Sequence, residues 1–324
     1  MDNINNVFIT GGAGFIGSNV TDKMLALGKN VTVYDNFSTG KKFFLEHALK
    51  NEKFSLIEGD VLDIELLKKS LANHDFVFHF SANADIRYGL EHPKKDLEQN
   101  TIATFNVLES MRKNNITKIA FSSTGSVYGN TSVIPTPENA PFPIQTSLYG
   151  SSKLAGETLI SSYCEGYNFK SWIFRFVGVL GERYTHGHLY DFYKKLKKNP
   201  LEINVLGNGK QRKSYIYIQD CIDSMICAIE KSTNIINIYN LGCDEYIEVD
   251  DSVKIISNFL NLNPSITHSG GSQGWIGDNP FIYLDTKKIR KLGWKEKNTI
   301  EEGIIKTIKW IDENQWIYNN DFKK

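Results

Sequence analysis

The chain has 324 residues, 41% of them hydrophobic and 23% charged, which is ordinary for a globular protein with a sizeable core. Lys plus Arg and Asp plus Glu balance at 37 each, so no overall field favours nucleic acid or an anionic membrane surface. Residues 1–6 are polar, unlike a signal peptide, and no stretch approaches the roughly 20 apolar residues of a membrane helix. Cys164, Cys221, Cys227 and Cys243 show no C-x-x-C spacing, which fits a reduced, cytoplasmic chain with buried thiols.

In chain order, β-rich runs at 7–10, 30–34, 54–58, 76–80 and 116–122 alternate with amphipathic stretches at 15–27, 64–71 and 100–113. This alternation predicts βαβ units, hence an α/β fold of the Rossmann type with a doubly wound parallel sheet. Beyond about residue 175 the pattern loosens. A helix at 190–198, a strand at 214–218, a helix to 231, a strand at 237–241 and helices at 249–260 and 300–316 predict a smaller mixed α/β region. The expected division is a dinucleotide-binding domain over 1–175, to which the chain returns near 210–245, and a mainly substrate-binding region over 176–324.

The first strand runs into Thr10-Gly-Gly-Ala-Gly-Phe-Ile-Gly-Ser18. Gly11, Gly14 and Gly17 let the backbone turn tightly and approach a pyrophosphate, whose charge the following helix N-terminus meets. That placement, directly after strand one, distinguishes a dinucleotide fingerprint from an ordinary glycine turn. Strand two ends in Asp35, 18 residues after Gly17. A carboxylate there accepts hydrogen bonds from ribose hydroxyls and repels a 2′-phosphate, so NAD is expected rather than NADP. The turn Gly59-Asp60-Val61 either holds the adenine or caps the next helix.

The run Ser122-Ser-Thr-Gly-Ser-Val-Tyr128 ends a buried strand in hydroxyls without a carboxylate, imidazole or amine. Soon after it, Tyr149 and Lys153 lie four residues apart, on one helix face. A phenol has a pKa near 10, and lowering it by about three units takes roughly 4 kcal/mol, which an ammonium and a cationic nicotinamide can supply together. Tyr190/Lys194, Tyr193/Lys197 and Tyr283/Lys287 repeat the spacing without the context and are expected to be solvated helix faces.

These segments together resemble the extended short-chain dehydrogenases/reductases, in particular the NAD-dependent nucleotide-sugar epimerases and dehydratases, of the UDP-glucose 4-epimerase type. The resemblance rests on TGGAGFIGS, YDNFSTG, GDV at 59–61, HFSA at 79–82, SSTGSVYG and YGSSK. It continues through Gly209-Lys-Gln-Arg212, Tyr217-Ile-Gln-Asp220 and Leu292-Gly-Trp294, covering nearly the whole chain. It implies that Tyr149 takes the proton of a sugar hydroxyl, usually at C4, while hydride passes to NAD. Lys153 would lower the Tyr pKa and hold the nicotinamide ribose, and Thr124 would bond the reacting oxygen. Phe15, Ile16, Asn36, Asp60, Val61, Ser81, Asn100 and Ser122 would complete the cofactor site. Asn83, Arg87, Ser126, Gly178, Arg212 and Asp278 are the candidates to meet a nucleotide-diphosphate sugar, with structural hydrogen bonding the alternative for Asn83 and Arg87 and a solvated turn that for Arg212. A homodimer, commonly through a four-helix interface, is also implied.

Related 4,6-dehydratases usually carry an Asp-Glu pair or a Glu where this chain has Gly125 and Ser126, and UDP-glucuronate decarboxylases commonly carry a Glu there. Their absence favours reversible epimerisation, with a net dehydratase or dehydrogenase/ketoreductase, or a non-catalytic dinucleotide-binding scaffold, as alternatives. Gly178 stands where the family has a substrate-contacting Asn, and Trp275 where it has a diphosphate-binding Arg, so base and sugar stay open. His186 and His188 alternate, but no third ligand accompanies them and no metal is expected.

Overall fold

The computed structural model describes residues 1, 4–141, 144–272, 274 and 281–316. The first half is β1 (Asn6–Thr10), α1 (Phe15–Ala26), β2 (Asn30–Asp35), β3 (Phe54–Glu58), α2 (Ile64–Ser70) and β4 (Phe76–His79). Then come α3 (Ile86–Glu91), α4 (Pro93–Asp96), a π turn (Leu97–Ile102), α5 (Ala103–Lys113), β5 (Lys118–Thr124), α6 (Leu148–Tyr167) and β6 (Lys170–Phe176). The second half adds β7 (Gly178–Leu180), α7 (His188–Lys198), β8 (Glu202–Val205), β9 (Arg212–Lys213), β10 (Tyr215–Tyr217), α8 (Ile218–Lys231) and β11 (Ile236–Leu241). It closes with β12 (Ile247–Glu248), α9 (Val249–Phe259), β13 (Ser265–His268), β14 (Phe281–Ile282), α10 (Lys287–Arg290) and α11 (Ile300–Glu313).

Seven strands form one parallel sheet in the order β11-β6-β5-β4-β1-β2-β3. The chain winds outward from β1 to β3, then crosses to β4 on β1's other side, and that reversal opens a crevice at the strands' carboxyl ends. Both faces are covered. Val20 and Met24 of α1 pack with Cys221, Ile222 and Met225 of α8 on one face. Leu67 of α2, Val107 and Met111 of α5 and Ile160 of α6 fill the other. Strands buried on both sides need continuous apolar runs, and β4 is wholly buried.

A second core lies beyond the crevice, where Leu189, Tyr193 and Leu196 of α7 meet Val253 and Ile256 of α9 and Ile304, Ile308 and Ile311 of α11. The small sheets β10-β7, β12-β9-β14 and β13-β8 belong to this half. Tyr190 and Tyr193 are buried rather than solvated, because they form α7's apolar face. Lys194 and Lys197 lie over their rings at 5.4 Å each. The expected helix at 100–113 starts later, since residues 97–102 take the wider π turn.

Candidate active site

A cleft of about 530 Å³ runs along the carboxyl ends of β1, β2, β4 and β5 and is closed by residues 176–188 and 213–215. At one end is the glycine turn. Gly11 has a φ of +68°, and a Cβ there would lie 2.6 Å from the Ser81 amide nitrogen, so only glycine lets the turn after β1 touch the end of β4. A Cβ on Gly17 would lie 2.2 Å from the Gly11 carbonyl oxygen, so α1 is pressed onto the turn. Gly14 is the N-cap of α1, and no side chain caps the helix. Its first turn, Phe15, Ile16 and Gly17, lines the cleft with donors suited to a phosphate.

Asp35 is buried at the end of β2 and accepts bonds from the Ala13 amide at 2.9 Å and the Phe37 amide at 2.8 Å. Burial raises its pKa, and the two amides oppose the rise. A carboxylate, two ordered amides and an uncapped helix start within one cleft fit a dinucleotide. Asn36 and Val61 also line this end. Asp60 is among the residues behind it. Its carboxylate accepts from Asn36 Nδ2 and the Leu62 amide, each at 2.9 Å, and so fixes the turn.

At the other end β5 runs through the hydroxyls to Thr124 and is followed by a 3-10 turn, Gly125–Tyr128. Ser122, Ser123 and Thr124 all line the cleft, and the Ser123 hydroxyl donates to the buried Glu157 carboxylate. Thr124 Oγ1 accepts from the Ser126 amide at 3.1 Å, and Thr124 and Tyr149 both line the cleft. Tyr149 stands in the first turn of α6, which Ser147 caps. Burial pushes its pKa up to about 12, the Thr124 hydroxyl opposes this, and the Asp96 charge adds to it. Lys153, one turn on, holds its ammonium 4.2 Å from the centre of the Phe121 ring. Burial pushes it down to about 7, against the pull of Glu157. In the cofactor-free cleft, burial therefore keeps the phenol neutral.

Other expected residues fall around this centre. Ser81 and Ser126 line the cleft, as does the Gly178 backbone. Asn83 and Asn100 lie behind it. Asn83 Nδ2 donates to Asp96 Oδ1 at 2.8 Å, and Asn100 Nδ2 donates to Ser152 Oγ at 2.9 Å, tying the π turn to α6 beside Tyr149. Arg87 is exposed on α3, outside the cleft lining. Arg212 also lies outside it, stacked 3.9 Å from the Phe281 ring centre. Asp278 and Trp275 fall outside the described residues.

The place of the family's Asn is filled from a neighbouring strand. A Cβ on Gly178 would lie 2.5 Å from Tyr215 Cδ1, because that ring covers it. The Tyr215 hydroxyl lies 2.8 Å from His188 Nδ1 and 3.0 Å from Nε2. His186 instead stacks on Tyr184 at 6.0 Å. Burial, then Lys213, pushes the His188 imidazole down to about 3. Among the described residues no group of three or more His, Cys, Asp or Glu is arranged to hold a metal. Lys213, Tyr215, Tyr184 and Ile282 line the cleft without having been singled out in the sequence. The signal for Lys213 and Tyr215 was their position directly after the Gly209–Arg212 segment. Tyr184 and Ile282 carried none.

Residues 7–242 match the profile described as the NAD dependent epimerase/dehydratase family. The chain belongs to that family. It is 33% identical over 315 residues to a putative UDP-glucose 4-epimerase of Methanocaldococcus jannaschii, covering 95% of this chain and 99% of that one. A crystal structure of a UDP-galactose 4-epimerase superposes with a TM-score of 0.86 at 34% identity, over 96% of this chain and 100% of the other. A UDP-glucose 4-epimerase from Thermotoga maritima, solved with UDP-glucose, also gives 0.86, at 29% identity over 96% and 99%. As in the family at large, the cofactor of this member is NAD.

Proposed function

We propose that the protein is a nucleotide-sugar 4-epimerase that interconverts two UDP-hexoses through a transient 4-keto sugar. The observation that carries this reading is that Thr124, Tyr149 and Lys153 line the same cleft as the glycine turn and Asp35. NAD held at the Gly11–Gly17 turn and Asp35 supplies a reversible acceptor for the hydrogen on the sugar carbon. Tyr149 takes the proton of the C4 hydroxyl and later returns it. Thr124 holds the oxygen on which charge develops, and Lys153 offsets the phenolate. Residues 1–175 serve mainly the cofactor and 176–324 mainly the sugar nucleotide.

Steric room argues against dehydration and decarboxylation. A Cβ on Gly125 would lie 2.8 Å from Ile282 Cγ2 and 3.3 Å from the Phe176 carbonyl oxygen, so an acid side chain there would require Ile282 to shift. The cleft is left with hydroxyls at the position where elimination needs a second acid–base pair. Tyr149→Phe should lower turnover of UDP-glucose by roughly 10²–10⁴-fold while binding of NAD and UDP-glucose persists. Unchanged turnover in that variant would remove Tyr149 from the mechanism. A 4-keto-6-deoxy product from the wild type would make the protein a dehydratase.

The same reading includes a cytoplasmic homodimer. Leu97, Ile102, Phe105 and Leu148 are exposed on the π turn, α5 and the start of α6, an apolar face suited to a second copy.

A further inference from the structure

His79 opens the HFSA segment and ends β4, yet the chemistry proposed for the cleft makes no use of its imidazole. The ring is wholly buried, with Nδ1 2.7 Å from Thr10 Oγ1 and Nε2 3.0 Å from Thr104 Oγ1. Its neighbours decide which nitrogen carries the proton. Thr104 Oγ1 donates its one hydrogen to the Asn100 carbonyl at 2.6 Å, so toward His79 it can only accept, and Nε2 is the N–H. Thr10 Oγ1 accepts from the Ser81 amide at 3.3 Å and donates to Nδ1. Burial, then the Lys153 charge, pushes the imidazole down to about 3, so the ring stays neutral and keeps that one tautomer.

We propose that His79 is a positioning residue for Tyr149, a role that rests on the reading of Tyr149 as the group that takes the sugar proton. From the imidazole a line of hydrogen bonds runs to each side of the cleft. On one side, Thr10 and Ser81 meet at Gly11, whose missing Cβ lets the cofactor turn touch the end of β4. On the other, Thr104 holds the Asn100 carbonyl, Asn100 Nδ2 donates to Ser152 Oγ at 2.9 Å, and Ser152 donates to the Tyr149 carbonyl at 2.8 Å. The Ser122 hydroxyl, which lines the cleft, donates to the His79 carbonyl at 3.4 Å. Thr10, Thr104 and Ser152 each accept one bond and donate one, so the line has a single direction. One buried ring thereby sets the cofactor turn against the first turn of α6. Displacing a reacting group by about 1 Å can cost about a hundredfold in rate.

The test compares His79→Leu, His79→Gln and Thr104→Val with the wild type as NAD-loaded protein, with thermal melts to verify folding. Nitrogen-15 NMR of labelled histidine, with His79→Gln identifying the His79 signals, should show a neutral Nε2–H ring between about pH 5 and 8. An Nδ1–H or a protonated ring would overturn the inference. With tyrosine labelled at Cζ, the Tyr149 signal, identified in Tyr149→Phe, should move in His79→Leu and Thr104→Val, while that of Tyr193 in the second core stays. In turnover of UDP-glucose both variants should lose about tenfold or more in kcat, with KM and NAD affinity changed by less than about threefold. His79→Gln, whose amide both donates and accepts, should recover most of kcat. If His79→Leu does not fold, Thr104→Val decides by the same measurements. An unmoved Tyr149 signal, or a loss carried by KM or NAD affinity with kcat intact, would mean that His79 only fills the core. A wild type that turns over no UDP-sugar, with the Nε2–H ring and the moved Tyr149 signal both found, would sink the epimerase reading and still leave His79 as the residue that places Tyr149.

Discussion

The Lys153 ammonium faces the Phe121 ring and is fully enclosed, with its pKa pushed down to about 7 from an ordinary 10.5. The unfolded chain keeps this proton up to about pH 10.5, whereas the folded chain releases it near 7. The charge therefore penalises folding fully below pH 7, and the penalty fades as pH rises toward 10.5. Lys153→Met should stabilise the cofactor-free protein at pH 7 by something on the order of a few kcal/mol, with the gain gone near pH 10. Denaturant unfolding of both proteins at the two pH values checks this, and equal stability at pH 7 would contradict it. Tyr149 and Lys153 were legible because spacing and a preceding hydroxyl run isolate them from three look-alike pairs. Arg212 was legible as a cation but not its place, because nothing in the sequence marks its stacking on Phe281 outside the cleft lining.

On α6, Tyr149, Lys153 and Glu157 follow at four-residue intervals, and the last of these anchors the face. Glu157 Oε2 accepts from Arg175 Nη2 at 2.6 Å and Oε1 from Arg175 Nε at 2.9 Å, with both side chains buried. Arg175 Nη1 also donates to the Tyr128 hydroxyl at 2.7 Å, joining β6 to the turn after Thr124. Removing one member leaves a buried charge unpaired. Arg175→Met should cost about 3–5 kcal/mol in urea unfolding, and Glu157→Met with Arg175→Met should recover most of it. No recovery in the double variant would mean that the pair itself supplies stability beyond mutual neutralisation. The central strands were legible as apolar runs. Residues 86–102 were not, because α3, α4 and the π turn follow no long period. Asp85 caps α3 by accepting from the Arg87 and Tyr88 amides at 3.0 and 3.1 Å, and the Asn83–Asp96–Asn100 bonds hold the rest.

At the scale of the molecule, two cores meet across the cleft, and motifs that looked functional in the sequence hold that arrangement together. Asp220 of the Tyr217–Asp220 segment accepts from the Lys297 and Asn298 amides at 3.1 and 3.0 Å, and its carbonyl accepts from the Trp294 indole at 3.1 Å. Sequence resemblance finds such residues without saying whether they touch substrate or only tie α8 to the loop before α11. The apolar face of α5 and α6 belongs to this scale too. Phe105→Asp should convert a dimer to a monomer in sedimentation velocity at micromolar protein, and a wild type that already sediments as a monomer would remove the dimer from the account. The most direct test of the chemistry follows a hydrogen. UDP-glucose carrying deuterium at C4, incubated with the NAD-loaded protein, should yield UDP-galactose that retains the deuterium at C4 by NMR. Deuterium found at C6 of a 4-keto-6-deoxy sugar, or lost with a stable oxidised product, would contradict reversible epimerisation.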